Sequence, residues 1–344
     1  MTAATAATRQ RPTWADDLDP YARPHLGRSL LDIATSVVPY LLGWVGMYLL
    51  LDVSYWLVLA LAIPTAGFLE RTFIVFHDCT HGSFFASRRA NRWFGTFCGL
   101  LVLQPFENWR YDHWVHHGTA GDLDRRGQGD VPTLTISEYH SKDWRGRLGY
   151  WLFRHPLVMF GIGPIYSLVV MPRFWGSDAT RAQKHSVIGT NVAVAVIITS
   201  LCLLIGWQAF LAVQLPLIML AGTAGVWLFY VQHQFEDVYW ESNDQWSYAD
   251  AALRGSSYLK LPKVLQFFSG NIGLHHVHHL NARIPNYNLQ RAHDDNEIFH
   301  EVPVLSFWDG IKAVRLKLVD EESGRIVTFA EARNRAAAPA AEAA

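Results

Sequence analysis

Four long apolar stretches, at roughly residues 32–52, 55–76, 187–207 and 209–231, restrict the folding of this 344-residue chain more than any other feature. A helix needs about 20 mostly apolar residues to cross the hydrocarbon core of a bilayer. No water is available there to satisfy backbone N–H and C=O groups, so each stretch must close its hydrogen bonds internally as a helix. The links Leu51-Asp52-Val53-Ser54 and Gly206-Trp207-Gln208 leave room only for tight turns. The spacing predicts an all-α integral membrane fold: four transmembrane helices in two hairpins, with interfacial helices and a cytoplasmic histidine-rich helical cap. Composition agrees, since 50% of residues are apolar and only 17% are charged.

The pattern divides the chain into an N-terminal arm (1–30), a membrane domain (31–320) and a C-terminal tail (321–344). The opening MTAATAATRQRPTWADDLDP lacks an apolar signal region and is expected to be a polar cytoplasmic arm. The closing AAAPAAEAA is expected to be a disordered tail, although its alanines suit a helix extension. Arg9, Arg11, Arg23 and Arg28 precede the first span, and Arg88, Arg89, Arg92, Arg110, Arg125, Arg126, Arg145 and Arg147 follow the second. Cationic flanks stay on the cytoplasmic side, which places both termini there.

A fifth apolar run, 156–172, is short and broken by Gly161, Gly163 and Pro164. Were it to cross, the histidines before it and after it would lie on opposite sides of the bilayer; it is expected to be interfacial or re-entrant. Residues 88–106 mix arginines with an apolar face and are expected to lie along the membrane surface. Glu70 and Arg71, near the end of the second span, are expected to mark the interface. A net charge of −1 gives no argument for nucleic acid. Cys79, Cys98 and Cys202 form neither a disulfide framework nor a CxxC pair. The sequence also lacks a Gly-rich nucleotide motif and a GxSxG nucleophile.

Histidines collect beyond the ends of the hairpins: HDCTH at 77–81, HWVHH at 113–117, a lone His233, and HHVHH at 275–279. On a helix, residues i, i+3 and i+4 share a face, so His77 with His81, His113 with His116 and His117, and His275 with His278 and His279 each form a chelating face. Imidazole without cysteine suits iron, zinc, copper or nickel. So many donors exceed what one ion uses and imply two ions, each with an open position.

Three histidine boxes of the form HxxxH, HxxHH and HxxHH, in this order and topology, resemble those of the integral-membrane fatty acid desaturase superfamily over most of residues 30–310. HDCTHGSFF, HWVHHGTAGDLDRRGQGDVPTLT, HQFEDVYW and GNIGLHHVHHLNARIPNYNL are similar to the bacterial acyl-lipid branch, including the delta-12 type. The resemblance implies an oxygen-dependent oxidoreductase in a bacterial inner membrane. It implies two iron ions held by His77, His81, His113, His116, His117, His233, His275, His278 and His279, with zinc as a substitute in purified protein. Molecular oxygen and two external electrons would introduce a cis double bond into a fatty acyl chain carried on membrane lipid, coenzyme A or carrier protein. His276 also stands three residues from His279, and by parallel with the second box it points elsewhere.

Asp78, Asp112, Glu236 and Asp237 are candidates to orient ligating imidazoles, and Asn271 to hydrogen-bond a metal-bound water. Acyl-CoA relatives place a comparable Asn before the lone histidine, where this chain has Phe229. Aromatics near Phe84, Phe85, Trp93, Trp109 and Trp114 either line an acyl tunnel or serve as core and interfacial belt, the commoner use of such residues. No HPGG motif of a fused cytochrome b5 occurs, so the donor would be separate: ferredoxin first, then a cytochrome b5 or rubredoxin system, drawn by arginines around 88–92 and 125–126. The same boxes fit a related hydroxylase, epoxygenase or decarboxylase forming terminal alkenes, and the histidines alone fit a non-oxidative membrane zinc protein.

Overall fold

A computed structural model describes residues 12–342. After α1 (Thr13–Leu18), the first span is two helices, α2 (Leu26–Ala34) and α3 (Val37–Leu49), separated by a break at Thr35-Ser36. It begins and ends a few residues earlier than the hydropathy suggests. The second span is α4 (Tyr55–His81), and two helices follow on its far side, α5 (Arg88–Leu101) and α6 (Phe106–Thr119). At 1.5 Å per residue the 27 residues of α4 run to about 40 Å, longer than the roughly 30 Å hydrocarbon core. The excess carries His77 and His81 beyond the apolar layer.

Short pieces come next: β1 (Leu134–Thr135), α7 (Ile136–Ser141), α8 (Trp144–Phe153), and a winding segment over 158–173 with a central turn, α9 (Gly163–Ile165). The last two spans are α10 (Arg181–Ile205) and α11 (Trp207–His233), turning at Gly206, whose φ of +85° suits glycine. The cap is completed by α12 (Tyr248–Arg254), β2 (Tyr258–Lys260), α13 (Lys263–Phe268), α14 (His275–Leu280), α15 (Asn286–Asp295), β3 (Val304–Ser306), α16 (Phe307–Ala313), β4 (Leu318–Asp320), β5 (Arg325–Val327) and α17 (Phe329–Glu342). The strands are small clasps: β2 pairs parallel with β3, and β4 joins parallel β1 to antiparallel β5. The fold is the expected all-α membrane architecture with four spans in two hairpins.

The fifth apolar run does not continue α8 straight into the bilayer. The two segments bend by 56°, and the second winds through π-helical turns at Val158–Ile162 and Tyr166–Val170. It packs against α11, where the Thr223 hydroxyl donates to the Phe160 carbonyl at 2.8 Å. A Cβ on Gly222 would meet Pro164 at 2.6 Å and Leu168 at 2.9 Å. Gly222→Leu is therefore expected to cost about 1–3 kcal/mol by overpacking, measured as a lowered thermal midpoint in detergent; an unchanged midpoint would show that the contact is slack.

Glu70 and Arg71 face the protein interior and not open solvent: both are buried. Arg71 is ion-paired with Asp32 of α2, donates to Ser36 Oγ at 3.0 Å and to the Phe267 carbonyl, and lies over the Phe267 ring. A charge at this depth persists because a partner on the neighbouring helix neutralises it. Residues 1–11, with Arg9 and Arg11 of the expected arm, and 343–344 lie outside the described residues, while described residues next to them pack onto the cap. Leu18 is fully buried beside Leu274, Val277 and Leu289 of the cap. Ile326, Val327 and Ala332 are buried within 321–342, and α17 continues through the alanine-rich stretch to Glu342.

Candidate metal centre

Each histidine-bearing helix delivers its side chains by a different local device. α4 and α11 simply overrun the apolar layer, ending in His81 and His233. On α6, the i, i+3, i+4 spacing turns His113, His116 and His117 inward, and all three are buried. The six-residue α14 is set by the turn before it, where Gly270 and Asn271 adopt φ of +53° and +60°. Gly270 sits against Ile74 with no space for a Cβ, at 2.8 Å. Tyr248 then clamps the helix end by donating to the His279 carbonyl at 2.6 Å.

These elements converge on two sets of four imidazoles. His77, His81, His113 and His278 form one, and His116, His233, His275 and His279 form the other; within each set the candidate donor atoms lie within 4.8 Å of one another. His117 stands between the sets, stacked on His279 at 4.1 Å with ring centroids of His278 and His81 at 4.6 and 4.9 Å. All nine histidines expected as ligands thus meet in one place. This convergence also requires residues 120–180 to return to the side they left, as the interfacial reading of the fifth run predicts.

The nitrogens fit metal ions. Nε2 atoms face each other at 3.0 Å between His77 and His278, 2.9 Å between His233 and His275, and 3.2 Å between His113 and His117. Two nitrogens each about 2.0–2.1 Å from one ion, at angles of about 90–109°, would be separated by roughly 2.8–3.4 Å. The Nε2 atoms of His81, His116 and His279 are buried with no hydrogen-bond partner among the described residues. A buried polar atom left so costs about 1–3 kcal/mol, and coordination would remove that cost.

Burial, reinforced by neighbouring imidazoles, holds His113, His117, His275, His278 and His279 far below the ordinary histidine range. They are neutral at pH 7, the form that ligates. Because the unfolded chain takes up these protons near pH 6.5 and the folded one resists them, stability is expected to fall as pH drops below about 6.5. A pH series of thermal midpoints checks the sign.

The chain matches the family described as "Fatty acid desaturase" over residues 54–306. The chain belongs to the fatty acid desaturase family. It is 43% identical over 329 residues to a Bacillus subtilis (strain 168) protein named fatty acid desaturase, covering 96% of this chain and 93% of that one. It is also similar to the sn-1 acyl-lipid omega-3 desaturase (ferredoxin) of Synechocystis, 28% identical over 64% of this chain and 62% of the relative. A third relative, the sn-1 oleoyl-lipid 12-desaturase of Anabaena variabilis, is 25% identical over 72% of this chain and 71% of its own length. This desaturase is therefore a membrane oxidoreductase of fatty acid metabolism, and its delta-12-type resemblance is matched by relatives of that name.

Around the histidines, the desaturase uses partners only partly visible in its sequence. Asp78 lies against its neighbour, with Oδ1 3.2 Å from His77 Nδ1. The Asp112 carboxylate bonds no histidine among the described residues; it accepts from Asn108 at 3.1 Å and from Gln128 at 3.2 Å, and so anchors the following loop. Glu236 and Asp237 are exposed and both pair with Arg325, because the chain turns away immediately after His233. Asn271 donates to the Asn286 carbonyl at 3.2 Å rather than toward the centre. The missing partners are Asp130, bonded to His116 Nδ1, and the Gly255 carbonyl, 3.0 Å from His233 Nδ1. The one available signal for Asp130 was its position at the end of the polar loop after the second box.

His276 points away, with Nε2 3.0 Å from His293 Nδ1 and its ring against Phe299. Among the aromatics, Trp109 stacks on His113 with centroids 4.4 Å apart, and Phe229 packs on His116 at 5.2 Å. Phe84 is core, packed with Phe85 and Phe94. Trp93 and Trp114 are 68% and 70% exposed, which suits a membrane surface and not a tunnel wall. Of the arginines expected to attract a donor, Arg92 pairs with Glu107, Arg125 with Asp122 and Arg126 with Glu138, so that surface is largely self-neutralised.

Proposed function

We propose that this desaturase introduces a cis double bond into the acyl chain of a membrane lipid, using two iron ions held by the nine histidines. The observation that carries this reading is the pair of four-histidine sets with His117 between them. Overall, –CH2–CH2– plus O2, two electrons and two protons becomes –CH=CH– plus two waters. The iron pair supplies the oxidising power for removing hydrogens from an unactivated chain. The protein's own residues hold and shield it. The imidazoles present neutral nitrogens, and Asp130 and the Gly255 carbonyl accept ring N–H groups from His116 and His233, fixing which nitrogen faces inward. Cap residues Leu274, Val277 and Leu280, all buried, exclude water from above.

The names of two relatives support an acyl-lipid substrate and, for one, ferredoxin as donor. Arginine distribution supports a centre and termini on the cytoplasmic side, and a relative from Bacillus subtilis supports a bacterial cell membrane. Asp130→Asn is expected to lower ferrous affinity about 10–100-fold, read by competition with a chelator; unchanged affinity would remove Asp130 from the account. The reaction itself is tested by gas chromatography and mass spectrometry of fatty acids from a host expressing the chain with ferredoxin and its reductase. A new acid lighter by two hydrogens, with an internal cis double bond, is expected. A hydroxy acid, an epoxide or a terminal alkene would overturn desaturation, and no change in any acyl chain would overturn the oxygen-dependent reading.

A further inference from the structure

One half of the centre is wired to the first span and the other is not. Asp78 places Oδ1 3.2 Å from His77 Nδ1, and its Oδ2 accepts from Asn286 twice, from the backbone N–H at 2.7 Å and from the side-chain amide at 3.0 Å. The same amide nitrogen donates to Asp32 Oδ2 at 2.7 Å. Asp32 is in turn ion-paired with Arg71, which Ser36 and the Phe267 carbonyl hold in place. Asp32, Arg71, Asp78 and Asn286 are all buried. The network thus runs from α2, through α4 and the start of α15, to a histidine of one four-membered set. In the other set, His116 bonds directly to Asp130, whose second oxygen has no partner among the described residues.

We propose that Asn286 is a positioning residue for the His77 set, and that its bridge between Asp32 and Asp78 makes the two metal positions chemically unequal. This rests on the two-ion reading above. The amide spends both of its hydrogens on carboxylates, so it fixes the Asp78 side chain relative to His77 while keeping the two acids apart. Asp78 is doubly hydrogen-bonded and gives up electron density to Asn286; Asp130 does not share its free oxygen. The imidazole backed by Asp130 is the more basic of the two, because outer-sphere acceptors tune their ligand in proportion to their own availability.

The test uses full-length protein in nanodiscs, loaded anaerobically with ferrous iron-57, and reads Mössbauer spectra and chelator competition. Wild type is expected to show two resolved ferrous doublets. Asn286→Ala is expected to alter one doublet and weaken iron binding there about 10–100-fold while leaving the second doublet in place, whereas Asp130→Asn alters the second. Asp32→Asn, isosteric with the native side chain, is expected to shift the same doublet as Asn286→Ala by a smaller amount. A wild type without two irons fails the two-ion reading itself. Two irons with neither doublet moved by Asn286→Ala, or both moved equally, overturns the positioning role alone. If Asn286→Ala does not fold, Asp32→Asn decides; loss of folding in both makes the network purely structural and likewise overturns the proposal.

Discussion

Cells producing the His116→Ala variant are expected to make no detectable unsaturated product, a loss of at least about 100-fold, while the variant still inserts and folds. His116 is fully buried, faces its set through an Nε2 that has no other partner, and holds its second nitrogen on Asp130. Alanine removes one of four donors from that set and strands the Asp130 carboxylate. Metal sites depend on ligand number, and losing one coordinating imidazole removes the ion or leaves it misplaced. Gas chromatography of total fatty acids reads the outcome. Product at a tenth of the wild-type level or more would show that the His116 set is dispensable and would contradict a two-ion mechanism.

Arg71→Met is expected to destabilise the protein by about 3–5 kcal/mol, because it leaves the buried Asp32 carboxylate without its cation. The pair also ties α2 and α3 to α4 through Ser36, and to the cap through Phe267. Adding Asp32→Leu is expected to recover much of the loss, since the stranded charge is then gone. Denaturant titration in detergent measures both variants. A loss under about 1 kcal/mol for Arg71→Met would show that Asp32 finds water or a proton without difficulty.

The parts of the desaturase that sequence made legible are those with local periodicity. Histidines at i, i+3 and i+4 must share a helix face, and apolar stretches of span length must be helices, so eight of the nine inward imidazoles and the two hairpins follow from spacing. His233 lacks a neighbour to mark it, and became readable only through resemblance. Asp130 has no local signal because it follows His116 by 14 positions, most of them loop beyond the end of α6 at Thr119, and its placement depends on Gly129 at φ +75° and on Gln128 bound to Asp112. Glu236 and Asp237 are near His233 in sequence, which means little where a helix ends and the backbone turns outward to Arg325. A charge such as Arg71 in a span shows no partner within its own segment of sequence. The partner of Arg71 is Asp32, a helix away.

The central claim is that the nine histidines hold two metal ions. Metal analysis of protein purified from iron-replete cells and loaded anaerobically with ferrous iron tests it most directly. The account predicts about two irons per chain, falling to about one or fewer when His279 is replaced by alanine. A single tightly bound zinc that ferrous iron cannot displace, or two irons retained undiminished without His279, would contradict it.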